Sequence, residues 1–363
     1  MSNEKILYKQ GRMLIFIYLI SAYLMFGPAV EARQDGWISV ILGALLSLPL
    51  FIMYGKMLSL YPEDNLFQML HKVFGKVFGK FLSFIYVFHS IVLSSLIIYS
   101  ITTFINKVGL FNTPQIMICV ILGALCIWII KEGLVVFCDW SQFFIRIIIA
   151  SVLIFWILLI PVMKFDNLRP CFYYGFKPIY KGAISVLSFP FSEAFLFFSI
   201  LNSVDDKKNL KKIFIKPLVF SCVFITFATA INIMILGVDN YTIAYYPAYE
   251  STKRLELGGI IQRLEIISSI VFIITQFIEL SICLICACKG IKEIFNIKDY
   301  KIVIFPTTLF CINISLMSFE SIMEFTEFNE NIWPNYSIFM QVVIPIIIFI
   351  FMIVKKNHFS RLN

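Results

Sequence analysis

The sequence predicts an all-α polytopic membrane protein with ten transmembrane helices, built as a five-plus-five inverted repeat in which helices 1 and 6 are broken. Three observations lead to this prediction: an apolar composition, ten long apolar segments, and helix breakers at equivalent places in two halves of the chain. Of the 363 residues, 60% are hydrophobic and 14% are charged, against roughly 45–50% and about 25% in a soluble domain. A water-soluble fold of this size cannot bury 39 Phe residues, so much of its surface must face lipid.

The transmembrane segments are long apolar runs, since a helix needs about 20 such residues to cross the hydrocarbon core of a bilayer. The first run follows a basic N-terminal stretch. Its 18 residues exceed the roughly 7–15 of a secretory signal core, so we interpret it as a retained helix. We predict helices 1 to 10 at about residues 13–30, 37–58, 81–105, 115–131, 140–162, 182–202, 213–237, 262–288, 301–319 and 335–354.

The basic residues predict the topology, because cytoplasmic loops of membrane proteins are enriched in Lys and Arg. With the N-terminus placed in the cytoplasm, 20 of the 30 Lys and Arg residues fall on the cytoplasmic side and nine on the opposite side. Both termini are therefore predicted to be cytoplasmic. The basic residues behind the net charge of +8 thus lie mostly on the cytoplasmic side, so the charge gives no indication of nucleic-acid binding. The apolar composition instead predicts the lipid bilayer as a partner.

Two long loops indicate an internal repeat. Residues 61–80 place apolar side chains at helical spacing, which predicts an amphipathic helix along the cytoplasmic interface. Residues 239–263 are the counterpart on the outer face. Because an odd number of helices, five, separates the loops, the second half must be inverted relative to the first, with halves of about 13–162 and 182–354. The apolar residues of the first loop are Leu66, Leu70, Val73, Phe74 and Val77.

This architecture requires a break in the first helix of each half, and both helices contain a breaker. Helix 1 carries Gly27 and Pro28 side by side, and helix 6 carries Phe189 and Pro190 near its middle. An unwound stretch exposes backbone N–H and C=O groups, and the ends of the half-helices carry partial charges. Such groups can hold the carboxylate and the amine of an amino acid. We therefore predict a ligand site at these four residues.

Glu193 and Ser192 follow the break in helix 6. An ionisable residue inside a membrane-spanning helix is a candidate functional residue. Glu193 can pair with a ligand amine, carry a coupling proton, or form a structural pair with a backbone group or an arginine. Ser192 either joins the ligand site or caps the broken helix.

Helix 3 adds three candidates to the predicted ligand site. Tyr86, His89 and Ser90 share one helical face. The titratable side chain of His89 can line the cavity, or it can instead be bonded to a neighbouring carbonyl group. Both interpretations are open at this stage.

Four further charged residues are candidates for charge pairs. Arg263 and Glu265 lie near the outer interface, where an arginine either reaches a carboxylate or extends toward the lipid headgroups. Glu279 lies deeper in helix 8. Arg146 interrupts helix 5 and has no partner that the sequence identifies.

Patterns typical of enzymes and metal sites are absent from the sequence. It contains no G-x-S-x-G, P-loop or H-E-x-x-H motif, and only three His residues. Cys283, Cys286 and Cys288 are closely spaced, but Leu, Ile and Ala surround them inside a predicted helix, so we interpret them as small apolar residues. We predict no enzymatic activity, no metal site and no cofactor.

Four stretches of the chain resemble the B subunits of spore germination receptors. They correspond to the start of the second helix, to the sixth helix, to the outer loop with the start of the eighth helix, and to the entry of the ninth helix. In this chain they read EARQDGWISVILGALLSLPL (31–50), FPFSEAFLFFSILN (189–202), YPAYESTKRLELGGIIQRLEIISSIVF (246–272) and IKDYKIVIFP (297–306).

That family belongs to the amino acid–polyamine–organocation transporter superfamily, and the resemblance implies its ten-helix inverted-repeat fold. It also implies a nutrient-sensing subunit in the inner membrane of dormant bacterial spores. The implied partners are a larger membrane A subunit, a lipoprotein C subunit and a small nutrient, typically an L-amino acid. A proton-coupled amino acid permease, with Glu193 carrying the proton, is the alternative, and a purely structural scaffold of a receptor complex is the third hypothesis.

Overall fold

The computed structural model describes residues 5–255 and 265–362, with side chains described as far as residue 356. Within these ranges the chain is almost entirely helical and forms no β-strand. The α-helices are α1 (Tyr8–Ser21), α2 (Gly36–Leu60), α3 (Leu66–Val108), α4 (Gln115–Glu132), α5 (Leu134–Leu159), α6 (Phe176–Ser188), α7 (Ile215–Leu236), α8 (Val238–Ile243), α9 (Pro247–Lys253), α10 (Glu265–Phe295), α11 (Ile304–Ser318), α12 (Ile322–Asn331), α13 (Trp333–Ile338) and α14 (Ile344–Leu362).

The prediction of an all-α polytopic membrane protein is confirmed. Eight helices in the described part of the chain are long and apolar enough to cross a bilayer, and a ninth is added if α11 and α12, bent by 100° at their junction, form one broken span. α1 has only 14 residues before the chain leaves the α-helical conformation. The count of ten helices and the division into two inverted halves therefore stay predictions.

α10 forms the centre of the bundle. It packs along α3 and also contacts α1 and α5, and 83% of its apolar window is buried, compared with 28% for the span that begins with α5. α2 packs against α6 and α7. Polar groups on α10 are thus surrounded by protein, whereas much of α5 faces outward.

The loop before the third helix is helical, as the spacing of its apolar residues predicts, and it continues directly into α3. Leu66, Leu70 and Val73 are buried. Val77 is instead 87% exposed and does not pack against the rest of the protein, so its predicted place on the apolar face toward the interface stays a prediction. Gly75 interrupts the helix with a φ of +81°, and this interruption changes the helical phase between Val73 and Val77.

Candidate functional site

The first helix is broken between two 3₁₀ turns, Ala22–Leu24 and Val30–Asp35. The α-helical part of this segment thus ends earlier than predicted. Gly27 lies inside the break and is tightly surrounded. A Cβ atom at this position would lie 3.1 Å from the side chain of Pro247 and 3.2 Å from the ring of Tyr241. The glycine therefore allows the segment after α7, which contains Tyr241 and Pro247, to contact the backbone of the break.

The sixth helix is broken at the predicted position. α6 ends at Ser188, and after Phe189 and Pro190 the chain continues as the 3₁₀ helix Phe191–Ser199. A proline inside an α-helix removes one backbone donor and clashes with the preceding turn. The local sequence thus accounts for the end of α6, which lies well before the end of the predicted helix.

Tyrosine side chains hydrogen-bond two of the carbonyl groups at the breaks. The hydroxyl of Tyr23, beside the first break, donates to the carbonyl oxygen of Phe189 in the second break at 2.7 Å. The hydroxyl of Tyr241 donates to the carbonyl oxygen of Pro28 at 2.6 Å. The Gly27 N–H has no hydrogen-bond partner among the described residues. Tyr23 therefore links the two breaks, while the backbone donor of Gly27 remains available.

A cavity of about 210 Å³ lies at the two breaks. Its wall combines aromatic rings with polar side chains, a composition that is typical of small-molecule sites. The predicted residues Gly27 and Phe189 line it. Other lining residues that bear on ligand binding are Tyr23, Phe26, Glu31, Ser100, Ser188, Tyr246, Gln276, Glu279, Phe325, Glu330 and Trp333.

Glu279 of α10 is the most deeply buried acidic residue of the cavity wall. Its side chain is 1% exposed. The Oε2 atom accepts hydrogen bonds from the Ser21 hydroxyl and, at 2.5 Å, from the Gln276 amide. The Oε1 atom has no hydrogen-bond partner among the described residues. One oxygen is therefore held in place by the protein, and the other is free to accept a hydrogen bond from a ligand.

Two more carboxyl groups, those of Glu31 and Glu330, line the cavity. The Oε2 atom of Glu31 is buried and has no hydrogen-bond partner among the described residues. No Lys or Arg side chain from the described part of the chain lines the wall. With Glu279, the wall thus carries three acidic groups without a compensating base, which favours a ligand that carries an amine or another cationic group.

Glu193 is fully buried but does not line the cavity. Its Oε2 atom accepts a hydrogen bond from the Tyr18 hydroxyl at 3.1 Å. The side chains of Trp333 and Gln341 approach the carboxyl group, yet Oε1 has no hydrogen-bond partner among the described residues. Trp333 also lines the cavity, so this side chain is close to both Glu193 and the cavity.

The predicted residues of α3 lie behind the cavity wall. Tyr86, His89 and Ser90 are all 0% exposed, and none of them lines the cavity. His89 Nε2 lies 2.7 Å from the Gln341 amide nitrogen, and its Nδ1 lies 3.2 Å from the Tyr336 hydroxyl. Both ring nitrogens of His89 thus lie within hydrogen-bond distance of side chains, and no backbone carbonyl of the described residues is among their partners.

Ser192 bonds to the end of the broken helix. Its hydroxyl donates to the carbonyl oxygen of Ser188 at 2.7 Å, and the Ser337 hydroxyl donates to the same oxygen at 2.6 Å. This geometry fits the capping interpretation of Ser192. Neither Ser192 nor the neighbouring Pro190 lines the cavity.

The four candidates for charge pairs lie in different surroundings. Arg263 falls outside the described residues. Arg146 lies on the exposed side of α5, and Glu265 begins α10. Glu279 contacts Ser21 and Gln276 and, among the described residues, no cation. The ion pairs found in the described part of the chain join Arg33 to Asp239, Lys72 to Asp64, Lys207 to Glu63 and Lys253 to Glu250.

Sequence reasoning missed several residues of the wall. Tyr23, Gln276 and Trp333 were not predicted as site residues, and Glu279 was predicted only as a partner in a charge pair. One signal was available, because Gln276 precedes Glu279 by three residues and so shares its helical face. Tyr23 and Trp333 lie far apart in sequence, and only the fold brings them to the same cavity.

Comparison with known proteins gives a consistent result. A family model described as "Spore germination protein" matches residues 5–323. Spore germination protein KB of Bacillus subtilis (strain 168) is 22% identical over 362 residues, which cover 99% of this chain and 97% of that protein. Spore germination protein YndE of the same organism is 23% identical over 305 residues, or 82% of this chain and 83% of that protein.

Proposed function

The chain belongs to the spore germination protein family, and on that premise we propose that it is the nutrient-sensing subunit of a spore germination receptor. Family membership supports a receptor-like or permease-like function in spore germination. One observation carries the finer proposal: the cavity between the two broken helices, with the free oxygen of Glu279 at its wall. A ligand that enters this cavity contacts both breaks at once.

The ligand of the proposed receptor is a small nutrient that carries an amine, and an L-amino acid meets this requirement. Its ammonium group would lie near Oε1 of Glu279, because charge-assisted hydrogen bonds are about twice as strong as neutral ones. The free N–H of Gly27 provides a donor for a carboxylate. Phe26 and Trp333 supply the aromatic faces that favour a cation in the same cavity.

The proposed signal to partner subunits depends on a difference in ligand affinity between two conformations of this chain. A ligand shifts a conformational equilibrium only when it binds one state more tightly than the other. The cavity wall includes residues next to both breaks, Tyr23 and Phe189, which are joined by a hydrogen bond. A ligand that favours one relative position of the two breaks would therefore change the surface that partner subunits contact. We propose a membrane A subunit and a lipoprotein C subunit as those partners, in the spore inner membrane, with both termini of this chain in the cytoplasm.

A proton-coupled amino acid permease is the second candidate function. Glu193 supports it, because this buried carboxyl group has one oxygen without a partner among the described residues and lies near Trp333, which lines the cavity. Such a site can exchange a proton with a ligand-linked conformational change. The permease and the receptor share the same cavity, so ligand binding alone does not distinguish them.

The test compares germination with transport. Spores that lack this chain are exposed to single L-amino acids and loss of refractility is followed, while uptake of the same amino acids is measured in growing cells. A germination defect for selected nutrients with normal uptake is the expected result. Normal germination with impaired uptake would establish the permease instead, and a defect that no ligand-cavity substitution reproduces would indicate a scaffold.

A further inference from the structure

A second concave surface lies on the outside of the bundle between α1, α5 and α7. It encloses about 700 Å³ and shares no lining residue with the central cavity. Aromatic side chains form its wall. The ring of Phe224 in α7 lies 6.0 Å from that of Phe16 in α1 and 4.9 Å from that of Trp156 in α5. We call this surface the α1–α5–α7 groove.

Four basic residues line the groove: Lys9, Arg12, Arg146 and Lys216. No carboxylate from the described part of the chain lines it. The Nε atom of Arg12 is buried without a hydrogen-bond partner among the described residues, and the Arg12 guanidinium lies 5.0 Å from the ring of Tyr8. Arg146 forms no ion pair within the described ranges. The positive charge of the groove is therefore not neutralised by the residues that line it.

The basic groups are concentrated toward one end of the groove. Lys9 and Lys216 lie in the first turns of α1 and α7. A hydrogen bond of 2.6 Å between Gln10 and Asp139 sets the register of α1 against α5. Arg146 lies seven residues beyond Asp139, which is about 10 Å of helix rise. An arginine at this depth can extend its long side chain back toward the headgroup region.

We propose that the α1–α5–α7 groove binds an anionic phospholipid. Arg12 and Arg146 would hold the phosphate, because a guanidinium can bind phosphate oxygens through two parallel hydrogen bonds. Lys9 and Lys216 add attraction for an anionic headgroup. An acyl chain would lie along Phe220, whose side chain is 64% exposed on the groove wall. The groove thus offers basic groups for an anionic headgroup and exposed aromatic surface for an acyl chain.

The positive charge of the groove favours an anionic phospholipid over two other occupants, a zwitterionic lipid and a second copy of this chain. A zwitterionic lipid would bring its own cationic group to a site with four basic residues. A second copy of this chain would have to supply carboxylates from an exposed transmembrane face. A zwitterionic lipid predicts no preference for phosphatidylglycerol, and a second copy of the chain predicts dimers that form without lipid.

The test measures lipid retention by the full-length chain. The protein is purified in detergent and titrated with phosphatidylglycerol or phosphatidylcholine, and bound lipid is counted by native mass spectrometry. The wild-type chain should bind phosphatidylglycerol about tenfold or more tightly than phosphatidylcholine, and the double variant Arg12→Gln/Arg146→Gln should lose that preference. The control Lys76→Gln/Lys80→Gln removes the same charge from exposed positions outside the groove and should keep it.

The aromatic wall of the groove provides a second test of lipid binding. Phe220→Ala tests the acyl-chain wall without touching a basic residue and should weaken binding of long-chain phosphatidylglycerol more than binding of a short-chain analogue. Equal binding of the two lipids by the wild-type chain would overturn the proposal. So would an equal loss of preference in the control variant. Lipid-independent dimers that the double variant abolishes would assign the groove to a second copy of the chain.

Discussion

Replacing Glu279 by Gln tests the central cavity with the smallest change of shape. The Oε2 atom of Glu279 accepts hydrogen bonds from Ser21 and Gln276, and its Oε1 has no partner among the described residues. Glutamine keeps the length and branching of the side chain. It removes the ionisable carboxyl group that would pair with a ligand ammonium group, and it replaces one acceptor oxygen by a donor nitrogen.

The expected loss of affinity follows from that single contact. A hydrogen bond to a charged group contributes about 1.5–3 kcal/mol, which corresponds to an increase in Kd of roughly 10- to 150-fold. The assay measures binding of L-amino acids and simple amines to the purified chain in lipid nanodiscs by isothermal titration calorimetry. Germination of spores that carry the variant should require a similarly higher nutrient concentration.

The matched control is Glu265→Gln, at the start of the same helix. It makes the same chemical change 14 residues earlier, or about 21 Å of helix rise away, at a residue that does not line the cavity. Its affinity should be within about twofold of wild type. An unchanged Kd in a well-folded Glu279→Gln variant would refute the placement of the ligand amine, and equal losses in both variants would point to a general effect on the fold.

Three further substitutions test the surroundings of the cavity. Gly27→Ala places a Cβ 3.1 Å from Pro247 and should lower the free energy of unfolding by about 1–3 kcal/mol, which is measured as a lower Tm. In the control Gly109→Ala, the added Cβ meets nothing closer than 3.7 Å, so Tm should not fall. Tyr23→Phe leaves a carbonyl oxygen of the second break without its donor and should cost about 1–3 kcal/mol in denaturant unfolding; a change below experimental error would show that water replaces the tyrosine. Ser192→Ala removes a cap outside the cavity, so it should lower Tm slightly and leave Kd within about twofold; a large rise in Kd would place Ser192 in the ligand site after all.

The helix breaks could be predicted because their causes are local. Pro190 lies two residues after the end of α6, where its ring and its missing N–H stop the helix. Gly27 and Pro28 lie within the break of the first segment, although α1 itself ends six residues earlier, at Ser21. The amphipathic helix before α3 could be predicted for the same kind of reason, up to Gly75. The phase change at that glycine was missed, because a positive φ at a single residue is not visible in the spacing of apolar side chains.

The residues that line the central cavity were only partly accessible to sequence reasoning. Gly27 and Phe189 were predicted and line the cavity, whereas Glu193 and His89 were predicted and lie behind its wall. Periodicity shows which residues share one face of a helix. It does not show how that helix is rotated about its axis relative to its neighbours, and this rotation decides which face meets the cavity.

By itself the sequence determined the membrane class of the protein, the approximate position of most helices and the location of both breaks. These features depend on composition and on the conformational limits of Gly and Pro, which act over a few residues. The tertiary structure decided that Glu279 rather than Glu193 reaches the cavity, and that the basic residues of α1, α5 and α7 line one groove. The physical reason is that both sites combine side chains from several helices, and only packing sets the rotation and depth of those helices relative to one another.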